Sequence, residues 1–231
     1  MIRISHKNIE TPIVLDSASP FVLSIENSNE YFRLVTEIKN AFAGETSEFS
    51  FYNESEAISP EKHGEMIHSP FYFELTDKNV INLLYKKLQY NFNQGDFIVG
   101  FNEINANVDS LLYDLCATVD FSLEHEELTI ESLLKTCSVI PTKTYDTLIE
   151  KLVCYVNIFI ELKAVSFFVL VGIKDVLSDE DLSLLYKHCE MNKVGLFLIE
   201  RRTDEKKIKN ERKIIITEDL CEIVENIPLI Y

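Results

Sequence analysis

Short apolar runs separated by polar residues dominate the first 75 positions of the chain. Residues 2–4, 13–15 and 21–25 are rich in Ile, Val and Leu, whereas residues 49–52 and 71–75 are rich in Phe and Tyr. Runs of this length, bounded by Pro and small polar residues, are typical of β-strands. A helix that begins at Ser28 would carry on one face Tyr31, Phe32, Val35, Ile38 and Phe42. The N-terminal stretch is therefore predicted to combine strands with one helix.

Residues 76–143 follow a helical spacing instead, and the pattern predicts helices along this whole stretch. A helix that opens at Thr76 and Asp77 would place on one face Val80, Leu83, Leu84 and Leu88. After Gly95, steps of four and three residues separate the apolar positions Phe97, Phe101, Ile104, Val108, Leu111 and Leu115. A repeat of about 3.5 residues is typical of helices that pack lengthwise. The sequence therefore predicts an elongated helical hairpin, with a helix in a globular core as the alternative.

The last stretch, residues 147–231, alternates between helical and strand patterns. Residues 165–171 and 194–199 are apolar at nearly every position, which is typical of parallel strands covered on both faces. A third strand is predicted at residues 213–216. Helices are predicted to start near Thr147, Ser178 and Thr217. The succession of strand, helix and strand predicts a right-handed parallel crossover.

Together these stretches predict an α/β protein with an inserted helical domain. A head domain of residues 1–75 and 147–231 would hold one mostly parallel sheet, and residues 76–146 would form an α-helical leg. No Walker motif is present in the predicted head. Residues 172–178 read GIKDVLS after the buried strand, whereas a phosphate loop needs more glycines, which let backbone amides approach the phosphates. Nucleotide hydrolysis is therefore not predicted.

Composition excludes several classes of protein. No apolar run approaches the roughly 20 residues that a membrane span needs, and the N-terminus has no apolar signal region. A cytoplasmic location and no membrane partner are predicted on that basis. The five cysteines are widely spaced and include no CxxC pair, so they are predicted to be buried free thiols. Because neither HExxH nor GxSxG occurs, the protein is not predicted to be an enzyme.

An acidic cluster is the first candidate for chemistry in this chain, whose net charge is −16. It lies near the end of the long predicted helix and contains Asp120, Glu124, Glu126, Glu127 and Glu131. Calcium takes about six to eight oxygen ligands, so dense carboxylates are candidate metal ligands. The alternative is a solvated helix end, where acids near the next helix N-terminus interact favourably with its dipole.

A basic cluster follows the predicted strand that ends at Ile199. Seven of the 22 Lys and Arg residues lie there within 13 positions, against three acids, so the local charge is +4. The seven are Arg201, Arg202, Lys206, Lys207, Lys209, Arg212 and Lys213. The carboxyl end of a sheet strand is a common place for ligand sites in α/β proteins, and Lys and Arg bind phosphates. An exposed polar loop is the alternative, and Lys86 and Lys87 form a smaller basic pair on the predicted leg.

Several segments occur in an order that one known family shares. Residues 144–151 read TYDTLIEK, residues 177–181 read LSDED, and residues 192–201 read NKVGLFLIER. Upstream, residues 77–85 read DKNVINLLY and residues 123–130 read LEHEELTI. In this order and spacing the chain resembles the Csn-two family, the adaptation protein of subtype II-A CRISPR systems. The likeness covers nearly the whole chain and is carried by many weak matches.

The resemblance implies a function that spacing and composition do not reveal. This family forms a ring-like homotetramer that binds double-stranded DNA, especially free ends, in a basic central channel without known catalysis. Calcium ions bound by acidic residues stabilise the assembly, and the head resembles P-loop ATPases that have lost the phosphate loop. The implied role is spacer acquisition in antiviral defence, together with other CRISPR adaptation proteins. A metal-dependent nuclease or phosphoesterase, or a scaffold that binds no DNA, are the alternatives.

Only some functional positions can be carried over from the family. The implied calcium ligands are Asp120, Glu124, Glu126 and Glu127, and Ser132 stands where a further carboxylate is expected. Lys163 is what remains of a lysine run that usually precedes the central strand. The predicted DNA-binding residues are Lys86, Lys87, Lys163, Arg201, Arg202, Lys206 and Lys207. Four copies at −16 each would carry −64, so DNA binding is expected to need bound cations or a segregated basic surface.

Overall fold

The computed structural model describes residues 1–142, 144–201, 208 and 210–225. The chain forms two units. The α/β unit comprises Met1–Glu74 and Thr144–Tyr231, and the helical unit comprises Leu75–Lys143. The predicted α/β class is confirmed, because the described residues form seven helices and a mostly parallel sheet of six strands.

The elements follow the chain in this order. The first part of the α/β unit contains β1 (Ile2–His6), β2 (Ile9–Leu15), β3 (Phe21–Ile25), α1 (Ser28–Phe42), β4 (Phe49–Asn53), β5 (Glu56–Ala57), α2 (Pro60–His63) and β6 (Gly64–Ile67). The helical unit contains α3 (Lys78–Gln94), α4 (Ile98–Cys116) and α5 (Ile130–Thr136). The last part contains α6 (Leu148–Lys163), β7 (Phe167–Val171), α7 (Asp179–Met191), β8 (Gly195–Glu200), β9 (Arg212–Ile216) and β10 (Glu222–Glu225).

The strands form two sheets. The predicted mostly parallel sheet is present and uses strands from both ends of the chain, but some of the predicted strands belong to a separate antiparallel sheet. The first is antiparallel, in the order β2-β1-β4-β5, and the second has the order β10-β9-β3-β8-β7-β6. In the second sheet all neighbours are parallel except β10 and β9. The burial patterns of the strands agree with this assignment to two sheets. β1 and β2 alternate between buried and more exposed positions, as in a sheet with one covered face. β3, β7 and β8 are buried throughout, as in a sheet covered on both faces.

Two predicted elements are wrong at the borders of the second sheet. The strand beside β7 is β6, whereas residues 71–75 are irregular. Gly64 makes this pairing possible, because a Cβ atom at that position would lie 2.5 Å from the ring of Phe167. At the other edge, the predicted last helix is the strand β10. A turn closed by the Thr217 N–H and the Cys221 carbonyl (2.9 Å) returns the chain antiparallel to β9.

The core between the two sheets is apolar and includes one face of α1. Phe167 on β7 stacks on Phe51 of β4, with ring centroids 5.9 Å apart, and meets the edge of Phe42 at 6.1 Å. Both Phe167 and Phe51 are buried. The alternate positions of β7 and β8 are buried too, as expected for a sheet covered on both faces. The strands of the second sheet therefore pack on a continuous core.

The helical unit leaves much of its apolar surface exposed. Tyr85 on α3 donates to the Leu134 carbonyl on α5 (3.2 Å), whereas α4 has no buried residue. The positions predicted to pack lengthwise, here named the α4 seam, are Phe97, Phe101, Ile104, Val108, Leu111 and Leu115. Leu111 is 66% exposed and Leu115 is 60% exposed. The prediction of helix throughout this stretch is wrong for residues 117–129, which contain none.

Membrane insertion through a helix finds no support in the described residues. None of their helices combines the length and the apolar character that a span requires.

Candidate functional site

Two of the predicted DNA-binding cations are already bonded inside the α/β unit. Lys163, at the end of α6, donates to the Gly64 carbonyl (3.0 Å) and to Glu65 Oε2 (2.9 Å). The Arg201 guanidinium donates to the carbonyls of Ile25 and Glu26 and to the hydroxyl of Ser28. These bonds connect α6 to β6 and the end of β8 to the end of β3. Both side chains therefore have a structural role in the fold.

Lys86 and Lys87 remain free of ion pairs with the residues that the structure describes. Both lie on α3, where Lys86 is exposed and Lys87 is half-buried. The Lys87 ammonium lies 6.0 Å from the centre of the Tyr90 ring. The other predicted cations, Arg202, Lys206 and Lys207, lie outside the described residues. Lys86 and Lys87 are thus the predicted DNA contacts that the described structure leaves available for phosphates.

The predicted calcium ligands do not converge on one point. Asp120, Glu124, Glu126 and Glu127 are all exposed in the segment between α4 and α5. Among the described residues, they are absent from any group of three His, Cys, Asp or Glu ligand atoms within 4.8 Å of one another. Calcium needs about six to eight oxygen ligands, so the four carboxylates as placed do not form a site. Calcium binding at these residues stays a prediction.

The residue that stands in place of a further carboxylate caps a helix. Ser132 Oγ accepts from the Thr129 N–H (2.9 Å), and the Ser132 N–H donates to Thr129 Oγ1 (3.1 Å). This reciprocal pair is a capping box at the start of α5. The adjacent Glu131 accepts from Lys135 and Gln89, and these bonds hold the pKa of its carboxyl below the usual range. The Glu131 carboxylate is therefore already bonded to side chains of α3 and α5.

A different trio brings potential metal ligands together, at His6, Glu37 and Glu48. His6 Nε2 lies 2.8 Å from Glu37 Oε2 and 3.7 Å from Glu48 Oε2. However, the Asn8 backbone N–H points at His6 Nδ1 (3.1 Å), so Nδ1 must accept and Nε2 must carry a hydrogen. A metal ion would need the lone pair of Nε2. The arrangement is therefore a hydrogen-bond network and not a metal centre.

Cations neutralise the carboxylates of that network. Arg33 donates to Glu30 and Glu37, and the bond from Arg33 holds the pKa of Glu30 below its ordinary value. Lys7 pairs with Glu48 and lowers the pKa of that carboxyl in the same way. The trio lies on β1, on α1 and directly before β4, so its bonds connect α1 to the first sheet. Its role is structural.

A buried polar cluster lies on the second sheet, and the sequence analysis missed it. Glu200, the last residue of β8, is only 3% exposed, and its Oε1 accepts from the N–H groups of Ile173 (3.2 Å) and Lys174 (3.3 Å). Burial raises the pKa of Glu200 to about 8, although these bonds act in the opposite direction. Lys174 Nζ pairs with Glu211 (2.9 Å), which also accepts from Tyr186 (2.7 Å). The one sequence signal was a glutamate that ends an otherwise apolar run.

The five cysteines are free, but their burial differs from the prediction. Cys189 is buried, and burial raises the pKa of its thiol to about 12, so it is not a nucleophile at neutral pH. Cys137 and Cys221 are exposed, and the prediction of burial is wrong for both. They lie at the end of α5 and before β10, where fewer side chains surround them.

Comparison with known proteins places the chain among CRISPR proteins. A family model described as CRISPR-associated protein (Cas_Csn2) matches residues 41–220. The curated protein named CRISPR-associated protein Csn2 from Streptococcus agalactiae is 23% identical over 205 residues, which cover 87% of this chain and 90% of that protein. The match extends over the helical unit and over β7 and β8, the buried strands in the second part of the α/β unit. The chain belongs to the Csn2 family of CRISPR-associated proteins.

Proposed function

We propose that this protein acts in spacer acquisition as a non-catalytic homotetrameric ring that binds double-stranded DNA at free ends. The observation that carries the proposal is the family match over residues 41–220. The relative from Streptococcus agalactiae is named as CRISPR-associated, which supports action together with other CRISPR proteins. We assign these partners to the adaptation proteins. The α/β unit would be a head that has lost its phosphate loop, and the helical unit its leg.

The α4 seam supports self-association. Large apolar side chains at a spacing of about 3.5 residues suit a facing helix, and contiguous exposed apolar patches mark interaction surfaces. The seam includes Leu111, Leu115 and Ile104, which are all exposed in the single chain. Its first part borders an apolar groove of about 470 Å³, which Phe92, Phe101 and Leu133 line. A second copy of the chain would cover this surface.

Charge sets the conditions under which DNA would bind. Four chains at −16 would carry −64 and repel a duplex at low ionic strength. Calcium would offset part of this charge, but the exposed acids at Asp120, Glu124, Glu126 and Glu127 would first have to rearrange or gain ligands from another copy. Lys86 and Lys87 are the described cations that we assign to phosphate contacts.

The DNA assignment is tested by the salt dependence of binding to linear duplex. In calcium at low salt, the logarithm of the association constant should fall linearly with the logarithm of salt concentration, by about 0.9 for each phosphate contact. Replacing both lysines (Lys86→Gln with Lys87→Gln) should reduce the slope by about 1.8. Fluorescence anisotropy on labelled duplex measures both slopes.

Lys163→Gln is the control. Because Lys163 is bonded to Gly64 and Glu65 and is not available for phosphates, this substitution should leave the salt slope unchanged. An unchanged slope in the double variant would show that Lys86 and Lys87 are not DNA contacts. If linear duplex does not bind at all in calcium at low salt, the DNA-binding function is wrong and a scaffold without DNA is the better description. Closed circular duplex should bind more weakly than linear duplex, because it has no ends.

A further inference from the structure

The turn after β7 directs two consecutive backbone N–H groups at a single oxygen. Ile173 and Lys174 both donate to Glu200 Oε1, at 3.2 Å and 3.3 Å. The preceding Gly172 has a φ of +65°, a left-handed conformation that a side chain at this position would strain. Successive N–H groups that follow a left-handed residue form a concave site for oxyanions. Here the oxygen in that site belongs to the protein itself.

A second buried polar group, on the strand next to Glu200, has no partner among the described residues. Ser24 on β3 is paired in parallel register with Glu200 on β8, so both side chains project from the same face of the sheet. Ser24 is 1% exposed, and its hydroxyl bonds to none of the residues described in the structure. A buried hydroxyl without a partner is rare, because its desolvation is not compensated. Ser24 is therefore a second buried polar group beside Glu200, on the side of β8 away from the turn.

The side chain of Lys174 does not bind Glu200 Oε1, the oxygen that accepts from the backbone of the turn. Lys174 Nζ forms an ion pair with Glu211 in which both side chains are at most 6% exposed. The cation is thus held in the interior by a separate carboxylate. What remains at the turn is a set of neutral donors around the Glu200 carboxyl group.

We propose that the turn at residues 172–174 is an oxyanion site that the Glu200 carboxyl group fills from within the fold and so closes to phosphate. The internal group replaces an external ligand, and it holds the turn in its bound conformation without one. Removal of the carboxyl group would leave the two N–H groups without their acceptor and open the site to a phosphate oxygen. This inference does not depend on DNA binding or on the oligomeric state.

Thermal unfolding in inorganic phosphate tests the proposal, with sodium chloride at matched ionic strength as reference. The melting temperature of the Glu200→Ala variant should rise saturably, by about 3–6 °C at ten times its dissociation constant. The wild-type protein and Glu200→Gln should show no such rise, because each retains an oxygen that accepts from both N–H groups. The proposal is overturned if the Ala variant shows no saturable rise, or if the wild-type protein shows an equal one.

Amide hydrogen exchange in the wild-type protein gives a test that does not require the Ala variant to fold. The amides of Ile173 and Lys174 should be strongly protected, although they lie in a turn outside the sheet ladder. Exchange at the rate of exposed loop amides would overturn the proposal, since the Glu200 carboxyl group would then not occupy the site.

Discussion

Replacing Leu111 by glutamate should weaken self-association at least about a hundredfold and leave the single chain folded. Leu111 lies on the α4 seam and is 66% exposed, and substitutions at such positions usually change stability by less than about 0.5 kcal/mol. In the assembly the same side chain would be covered by another copy. An unpaired charge buried there costs a few kcal/mol, and each 1.4 kcal/mol is about tenfold in affinity. Sedimentation velocity at several protein concentrations measures the effect.

Ala106→Glu is the matched control, since residue 106 is exposed on α4 and lies on the side opposite the seam. This variant should associate like the wild-type protein. Equal loss of association in both variants would point to a general charge effect, and no loss in Leu111→Glu would show that the seam is not the interface. Circular dichroism should show the same helix content for all three proteins.

The second large effect is a pH dependence of stability that Glu200 introduces. Burial raises the pKa of Glu200 from 4.5 to about 8 in the folded protein. Between these values the folded state binds more protons than the unfolded state, so the free energy of unfolding falls as the pH rises. The contribution is complete below about pH 4.5 and is lost as the pH passes 8. Its upper limit is about 5 kcal/mol, because a tenfold change in a protonation equilibrium is worth about 1.4 kcal/mol.

Glu200→Gln removes this dependence while it keeps an oxygen for the two N–H groups. The variant should therefore gain stability relative to the wild-type protein as the pH rises from 5 to 9, by up to about 5 kcal/mol. Urea unfolding at each pH gives both free energies. Glu190→Gln removes an exposed carboxylate of α7 and should show no comparable gain. A constant difference between Glu200→Gln and the wild-type protein would mean that Glu200 titrates normally.

The strongest sequence patterns did predict individual elements of the fold. The runs that form β3, β7 and β8 are apolar at nearly every position and buried throughout, because both faces of the sheet are covered. The start of α1 at Ser28 and the acidic first turn of α7 after Ser178 were also correct. These signals are local, since they depend on spacing and capping within a few residues.

Strand partners were not predictable, because pairing depends on contacts between distant residues. Strand β6 is short, and only half of it is buried, so its own sequence gives a weak signal. Its place beside β7 depends on a glycine that fits against the ring of Phe167, about 100 positions away in the chain. For the same reason, the order of the strands along the chain does not predict which of them belong to which sheet.

The candidate site was predicted by residue type and not by bonding partner. Lys163 and Arg201 are predicted as DNA contacts because they are cations, but their acceptors lie far away in sequence, at Gly64 and at Glu26. Glu200 is not predicted as a site residue, because a single carboxylate at the end of a strand carries no periodic signal. Its burial and its two N–H donors follow only from the turn after β7, which the sequence shows merely as a loop with one glycine.

Native mass spectrometry with and without calcium, followed by addition of a linear duplex, tests the proposed function most directly. A ring-forming DNA-end binder should appear as four chains in calcium and should then take up duplex as a complex of the intact tetramer. A single chain at micromolar concentration in both conditions, with no mass shift on addition of duplex, would contradict the proposal.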